Sequence, residues 1–141
     1  GQARCLLLTT AENHPELPSV REVFAAIQCE LLSHMIKEEQ VLFPMIRQLE
    51  RTPADDRRNL RFHCGTIANP IAMMEHEHES AGGAMARIRE LTRDYTPPDD
   101  ACTTYQVCLS ELKAFEDDLH VHVHLENNVL FHRMTMEARA V

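Results

Sequence analysis

Two decapeptides that share one pattern constrain this chain more than any other feature of its sequence. They read HMIKEEQVLF from His34 and HVHLENNVLF from His122, and both fit the pattern H-x-x-x-E-x-x-V-L-F. Residues four apart lie one turn apart on the same face of an α-helix, so each copy projects an imidazole and a carboxylate in one direction. The pattern predicts two helices that carry equivalent halves of one metal site.

The composition favours helices and argues against several classes of function. The 141 residues suffice for one domain with a sizeable core, glycine is scarce (4 residues) and tryptophan is absent. The net charge of −8 argues against a nucleic-acid partner, because the phosphate backbone requires a basic surface. The sequence contains no run of about 18 apolar residues and therefore predicts no membrane-spanning helix. The five cysteines form no C-x-x-C pair, which is typical of reduced thiols in a cytoplasmic protein.

Apolar periodicity predicts three long helices, joined by polar turns that contain proline. They cover about residues 20–51, 70–93 and 98–138. A capping box that starts at Ser19 marks the first of them, and Pro44 is expected to kink it. Residues 2–12 look like the last turns of an earlier helix, which we expect to be truncated at its start. The predicted fold is therefore all-α: an antiparallel up-down four-helix bundle in which residues 1–141 form one domain.

The polar residues of both decapeptides fall on the stripes that should face the core. His34 and Glu38 continue the spacing of three and four residues in the first long helix, as do His122 and Glu126 in the last. His78 lies on the stripe of the middle helix. The apolar members of the three stripes are Ile27, Leu31, Val41 and Met45; Ile71, Met74, Ala81, Met85 and Ile88; and Leu112, Phe115, Leu119 and Val129. The neighbouring His76, His120 and His124 fall outside the stripes.

Two carboxylates on apolar stripes require a partner, because burying an unpaired charge is costly. No Lys or Arg lies on the stripes near Glu38 or Glu126, although a shifted helix phase that exposes both glutamates stays an alternative. Nitrogen and oxygen ligands without thiolate suit non-haem iron or manganese, and zinc as well. Two carboxylates that can bridge, with several imidazoles, favour a dinuclear site over a mononuclear triad. Glu75 and His78 also form the E-x-x-H spacing of ferritin-like proteins, but no second copy lies on a stripe.

The run Ala81-Gly-Gly-Ala84 in the middle helix almost lacks side chains. Its two glycines lower helix propensity by about 1 kcal/mol each. We therefore expect this run to let a neighbouring backbone approach closely.

With these residues in place, the sequence resembles the haemerythrin-like domain, and more closely the repair-of-iron-centres proteins, which are di-iron proteins for iron–sulfur cluster repair. The specific parts are Ser33–Met45 and Leu125–Phe131. Supporting parts are residues 14–20, 77–82 and 97–104. The resemblance covers nearly the whole chain and implies a haemerythrin-like bundle.

The resemblance also implies a centre of two non-haem iron ions, bridged by carboxylates and an oxo group. Glu38 and Glu126 would be the bridging carboxylates. The implied histidine ligands are His14, His34, His78 and His122. The family has a further histidine ahead of His14, and often a small cysteine-containing domain, so we expect upstream residues of the first helix to be missing. His132 follows Phe131 where the family usually has proline, which predicts a straighter last helix.

The implied function is that of a cytoplasmic protein of the response to nitrosative and oxidative stress. It would repair damaged iron–sulfur clusters by donating iron, by handling nitric oxide at the di-iron site, or by both, with iron–sulfur proteins as clients. The alternatives are a haemerythrin-like module that binds or senses dioxygen reversibly, and a metal-poor bundle that binds a partner. Whether the protein is an enzyme or an iron donor, and whether it forms a homodimer, stay open at this stage.

Overall fold

The computed structural model describes residues 14–60, 62 and 65–139 of the chain, without the side chains of residues 58, 59, 138 and 139. The helices are α1 (Leu17–Lys37), α2 (Phe43–Arg51), α3 (Ala68–Leu91), α4 (Thr103–Leu125) and α5 (His132–Arg139). Two π-helical segments, Glu38–Leu42 and Glu126–Phe131, join α1 to α2 and α4 to α5, and a 3₁₀ helix covers Ala54–Asn59. Within this part of the chain there is no strand, and no helix is long and apolar enough to cross a membrane.

These helices confirm the predicted all-α class. Three long helical stretches with short connections fit the predicted bundle, since α1 with α2, α3, and α4 with α5 correspond to the three expected helices. The expected truncated first helix falls on residues 2–12, which lie outside the described residues, so that part of the expectation stays a prediction.

Helix boundaries differ from the expected ones by a few residues at three ends. α1 begins at Leu17, whose N–H donates to the carbonyl oxygen of His14 (3.1 Å), so the capping box predicted at Ser19 is wrong. Pro18 lies in the first turn of α1. Proline is tolerated there because a backbone N–H in the first turn has no acceptor within the helix. α4 begins at Thr103, later than the expected residue 98, because Ala101 first closes a turn onto the carbonyl of Pro98. α3 ends at Leu91, and residues 93–95 then have positive φ angles of 50°, 59° and 56°.

Two π-helical segments interrupt the long helices, and the first of them lies just ahead of Pro44, where a kink was expected. The N–H of Phe43 donates to the carbonyl of Glu38, five residues back, and α2 then starts with Pro44 in its first turn. The second π-helical segment forms although His132 stands in the equivalent position. The expectation of a straighter last helix stays a prediction. A proline is therefore not needed for this distortion, which in both copies begins at the glutamate of the decapeptide.

The described chain forms two compact units, each with its own buried residues. The unit that contains residues 14–29 and 80–120 buries apolar side chains together with one carboxylate, Glu116, which accepts hydrogen bonds from Arg89 (3.0 Å) and the Tyr95 hydroxyl (2.9 Å). The unit of residues 30–79 and 121–141 has one hydrophobic cluster. Its members are Leu42, Met45, Ile46, Leu49, Ile67, Ile71, Met74, Phe131 and Met134.

The second π-helical segment changes which residues of its helix are buried. Val129, which the periodicity placed on the stripe, is 56% exposed, whereas Phe131 and Met134 are buried. A π-helical turn contains more than four residues, so the position that follows Glu126 on the inner side is shifted along the chain. The sequence-based assignment of Val129 to the core is therefore wrong.

Replacing Gly82 or Gly83 by alanine is expected to stabilise the protein by about 0.5–1 kcal/mol per substitution. Among the described residues, a Cβ added at either glycine would have no atom within 4 Å, so no described backbone shows the expected close approach. Alanine then restricts the unfolded chain without a steric penalty. Urea unfolding of each variant measures the gain, and a loss of stability would show that these positions are packed.

Gly65 provides the matched control for these substitutions. Its φ angle is +92°, and an added Cβ would lie 3.1 Å from Nδ2 of Asn69. Alanine is disfavoured in that backbone conformation, so Gly65→Ala should destabilise the same protein in the same assay.

Candidate metal centre

Five side chains from three helical stretches come together in the unit of residues 30–79 and 121–141. One ligand atom from each lies within 4.8 Å of all the others. The five residues are His34, Glu38, His78, His122 and Glu126, and they are called the cluster below. All are buried except His122, whose side chain is 40% exposed.

The inner nitrogen of each imidazole faces a carboxylate or another imidazole. Nε2 of His34 lies 3.2 Å from Oε1 of Glu38 and 3.2 Å from Nε2 of His78. Oε2 of Glu126 lies 3.2 Å from Nε2 of His78 and 3.5 Å from Nε2 of His122. All three Nε2 atoms and two carboxylate oxygens therefore converge on one small volume.

The outer nitrogens of two of these imidazoles have hydrogen-bond partners. Nδ1 of His34 donates to Oε2 of Glu77 (2.9 Å), and the other oxygen of Glu77 accepts from Lys37. Nδ1 of His78 donates to Oδ1 of Asn127 (2.8 Å). A carboxylate can only accept, so the proton of His34 lies on Nδ1 and the Nε2 lone pair of the neutral ring points into the cluster.

Lone pairs that converge in this way are stabilised by a proton or a cation among them. Oε1 of Glu38 and Oε2 of Glu126 are buried and have no hydrogen-bond donor among the described residues. The nearby imidazole nitrogens lie within 3.2 Å, but with their protons on Nδ1 the neutral rings offer no N–H in that direction. A buried acceptor without a partner costs about 1–3 kcal/mol. A cation bound by these nitrogen and oxygen atoms would remove that cost, so the residues present fit a metal centre.

The electrostatics of the cluster show the same demand for positive charge. Burial alone would lower the pKa of His34, but Glu38 and Glu77 outweigh it and raise this pKa above its ordinary 6.5. Burial alone would raise the pKa of Glu126, yet contacts with His78 and the neighbouring groups keep this pKa below 4.5. Without a metal, the two carboxylates beside His34 thus favour the protonated form of this ring.

His14 is not part of the cluster. It is buried at the start of α1, where its ring packs against Tyr105 with centroids 4.9 Å apart. Its two nitrogens lie 3.7 Å from Glu16 and 3.9 Å from Asp100. Five of the six residues predicted as ligands are therefore brought together, and the metal-binding role of His14 stays a prediction that this geometry does not support.

The histidines that were not predicted to face the core are not among the five residues of the cluster. His76, His120, His124 and His132 are exposed, and His63 lies outside the described residues. Glu75, the glutamate of the ferritin-like E-x-x-H spacing, is exposed as well. It lines, with His76, Glu79 and Asn127, a cleft of about 460 Å³ that reaches His78.

Sequence reasoning missed the two residues that hold the imidazoles from outside. Glu77 and Asn127 lie beside His78 and Glu126 in the chain, off the apolar stripes. A metal-binding histidine usually donates its second ring N–H to an oxygen, so a polar residue was to be expected near each ring. The sequence contained no signal that chose Glu77 for His34, which lies 43 residues away.

The all-α fold and this cluster define a class: helical domains whose long helices supply histidine and carboxylate ligands to a cation site. The family comparison names a member of that class. The chain belongs to the haemerythrin family, since residues 2–134 match the family model described as the Hemerythrin HHE cation binding domain.

Curated relatives are similar over most of this chain. The iron-sulfur cluster repair protein YtfE of Dickeya chrysanthemi is 45% identical over 107 residues, which are 76% of this chain and 42% of that protein. The proteins of the same name from Salmonella typhimurium and Citrobacter koseri are each 40% identical over 124 residues, which are 85% of this chain and 50% of theirs. The chain thus spans about half the length of the curated relatives that it matches.

Proposed function

We propose that this domain holds two iron ions in the cluster and serves the repair of damaged iron–sulfur clusters during nitrosative and oxidative stress. The observation that carries the proposal is the convergence of five ligand atoms with two buried carboxylate oxygens that lack a donor. The names of the relatives supply the biological process, and the site supplies a chemical basis for it.

The ligand set supports iron as the cofactor. Imidazole nitrogen and carboxylate oxygen without thiolate are the ligands of non-haem iron and manganese centres. Glu38 and Glu126 each lie among the imidazoles, so each could bridge two ions, with an oxo group as the third bridge. A bridged pair of iron ions would supply redox chemistry and a position for nitric oxide or dioxygen. Iron would also be released when a proton displaces it from an imidazole.

The residues of this chain have separate tasks in that proposal. His34, His78 and His122 would bind iron through Nε2, and Glu38 and Glu126 would bridge. Their partners Glu77 and Asn127 would hold two of the rings in the tautomer that directs Nε2 inward. Iron–sulfur proteins of the cytoplasm would be the clients.

Iron binding and iron transfer are the tests of this function. Protein loaded anaerobically with ferrous iron should restore activity to an iron–sulfur enzyme whose cluster nitric oxide has damaged, and the metal-free protein should not. A Glu38→Ala, Glu126→Ala double variant is the matched control, since it lacks both proposed bridging groups, and its circular dichroism spectrum checks that the helices are intact. If purified protein bound no iron above background and a chelator left its melting unchanged, a metal-poor bundle that binds a partner would be the correct function.

Repeated turnover distinguishes an enzyme from an iron donor. An iron donor restores at most as many client clusters as its iron content allows, whereas a nitric oxide reductase consumes nitric oxide continuously when a reductant is present. Both quantities can be measured on the same loaded protein.

Reversible dioxygen binding is the second candidate. Stable carriage requires a dry, apolar surrounding, but the cleft that reaches His78 is lined by Glu75, His76, Glu79 and Asn127 as well as by Ala72 and Val123. This polar lining favours reaction or iron release over carriage. Exposing the ferrous protein to air decides between them: a reversible oxy spectrum supports carriage, and rapid irreversible oxidation supports repair.

Iron affinity is expected to fall as the pH is lowered. The pKa of His34 lies above 6.5 in the metal-free protein, so below that pKa a proton occupies the site that iron requires. Each displaced proton weakens binding by up to about tenfold per pH unit. Competition titrations with a chelator between about pH 8 and pH 5.5 measure this dependence. In Glu77→Gln the fall in iron affinity should begin at a lower pH, because one carboxylate that raises the pKa of His34 is gone. An iron affinity that is constant over this pH range would contradict the prediction.

A further inference from the structure

We propose that His120 and His124 form a separate metal site on the outer face of α4, which binds a divalent transition-metal ion such as zinc or copper. This site shares no ligand with the cluster and does not depend on the function proposed for the cluster. Both imidazoles belong to one uninterrupted helix, α4, so the site needs no contact between the two compact units.

The two histidines have the spacing that brings two imidazoles to one metal ion on a helix. Residues four apart lie one turn apart on the same face, with their Cβ atoms about 5–6 Å apart. Helical side chains also lean toward the N-terminus of their helix, so a ring at position 124 can reach back toward His120. The H-E-x-x-H pattern of metalloproteases uses the same spacing of two histidines to bind zinc. One ion can therefore contact a nitrogen of each ring.

The pair lies on the opposite side of α4 from the cluster. His122, which stands between the two in the chain, is half-buried and faces Glu126, whereas His120 and His124 are exposed. Successive residues of a helix are rotated by about 100° around its axis, so His120 and His124 each lie about 160° away from His122. An ion held by the pair is therefore open to solvent and does not compete for the inward-facing ligands.

The charges along this part of the chain favour a cation. Residues 114–132 contain four acidic residues and no Lys or Arg. Two of the four, Asp117 and Asp118, are exposed within one turn of His120. Lys113 is the only basic Lys or Arg residue of α4, and its charge is paired with Asp117 at 2.8 Å. A cation that approaches the pair thus meets negative charge and no unpaired ammonium or guanidinium group of the same helix.

Asn128 can orient the ring of His124. Nδ1 of His124 lies 3.1 Å from Nδ2 of Asn128. The oxygen and nitrogen of the amide exchange places when the group turns by 180°, so Oδ1 can accept the proton of Nδ1 instead. That proton position leaves the Nε2 lone pair for the metal, as in protein metal sites where the outer N–H of a histidine donates to an oxygen. Imidazole ligands without thiolate suit zinc, copper, nickel and iron, and copper(II) should bind more tightly than ferrous iron.

Calorimetric titration of the full chain with Zn²⁺ alone tests the site. The protein is first loaded anaerobically with ferrous iron and desalted, and its iron content is measured again after the titration. One Zn²⁺ should bind to the pair in the wild-type protein. His120→Ala and His124→Ala should each weaken this binding by at least about tenfold, since even the loss of an outer partner commonly costs 10–100-fold. The double variant should lose no more than either single variant, because one imidazole alone does not form the site.

His76→Ala and His132→Ala are the matched controls. Both remove an exposed histidine that has no other histidine four residues away, and both should retain the zinc affinity of the wild-type protein. Circular dichroism checks that the helices of every variant are intact. The proposal would be overturned if the two single variants kept the zinc affinity, or if each lost only half of the capacity, as two independent imidazoles would. A lower iron content in either single variant would also overturn it, because the residue would then serve the cluster.

Discussion

Alanine in place of Glu38 or Glu126 is expected to reduce the iron content of the protein from two ions per chain to one or none. Each carboxylate lies 3.2 Å from an imidazole nitrogen in the cluster, and the described residues of this unit include no third buried carboxylate. A bridging group contacts both ions, so its loss affects both. Iron analysis after anaerobic loading and desalting measures the effect.

Two histidine variants serve as controls for this prediction. His76→Ala and His120→Ala remove exposed imidazoles from α3 and α4 without touching the cluster. Both should keep the iron content of the wild-type protein. If they lost iron while the glutamate variants kept it, the cluster would not be the metal centre.

Glu38→Gln is expected to stabilise the metal-free protein by about 1–2 kcal/mol and to abolish its stabilisation by iron. In the metal-free wild type, Oε1 of Glu38 is a buried acceptor that faces the lone pair of His34 Nε2. A glutamine of nearly the same shape can present an amide N–H to that lone pair. Iron, in contrast, stabilises the wild type by about 2.7 kcal/mol at a concentration one hundred times its Kd, and this gain should disappear in the variant.

The pH decides how large the gain from Glu38→Gln is. The pKa of His34 is raised in the folded protein, so the stabilisation from its protonated ring is fully present below the unfolded value of 6.5 and is lost as the pH rises through the raised pKa. The cost of the unpaired carboxylate is therefore largest at alkaline pH. Thermal unfolding of the metal-free proteins at several pH values should show a gain at high pH that shrinks or reverses at low pH. A variant that is less stable than wild type at every pH would contradict this account.

The sequence was sufficient to predict the helices and most of the cluster. Three of its apolar stripes coincide with α1, α3 and α4, and the polar residues predicted on them are buried, with His122 half-buried. This worked because a helix repeats every 3.6 residues, so spacing alone assigns a residue to a face. The two decapeptides added a second, independent constraint, since equivalent residues on two helices indicated one shared site.

The predictions that failed concern residues whose position depends on other helices or on a changed helical period. Val129 was placed on a stripe, but the π-helical segment that starts at Glu126 shifts the phase and exposes it. The ligand role that the resemblance implied for His14 stays a prediction, since His14 packs against Tyr105 and is not one of the five clustered residues. Neither outcome could be derived from a constant period of 3.6 residues.

The sequence by itself therefore determined the fold class, the family and the five residues whose side chains face one another. Only the tertiary structure decided which groups stand behind them: Glu77 and Lys37 behind His34, Asn127 behind His78, and none described behind His122. The physical reason is that helical spacing is a local property of the chain, whereas a hydrogen bond between side chains 43 or 49 residues apart depends on how two helices pack. Because of those contacts, the two decapeptides have different surroundings although they share one sequence pattern.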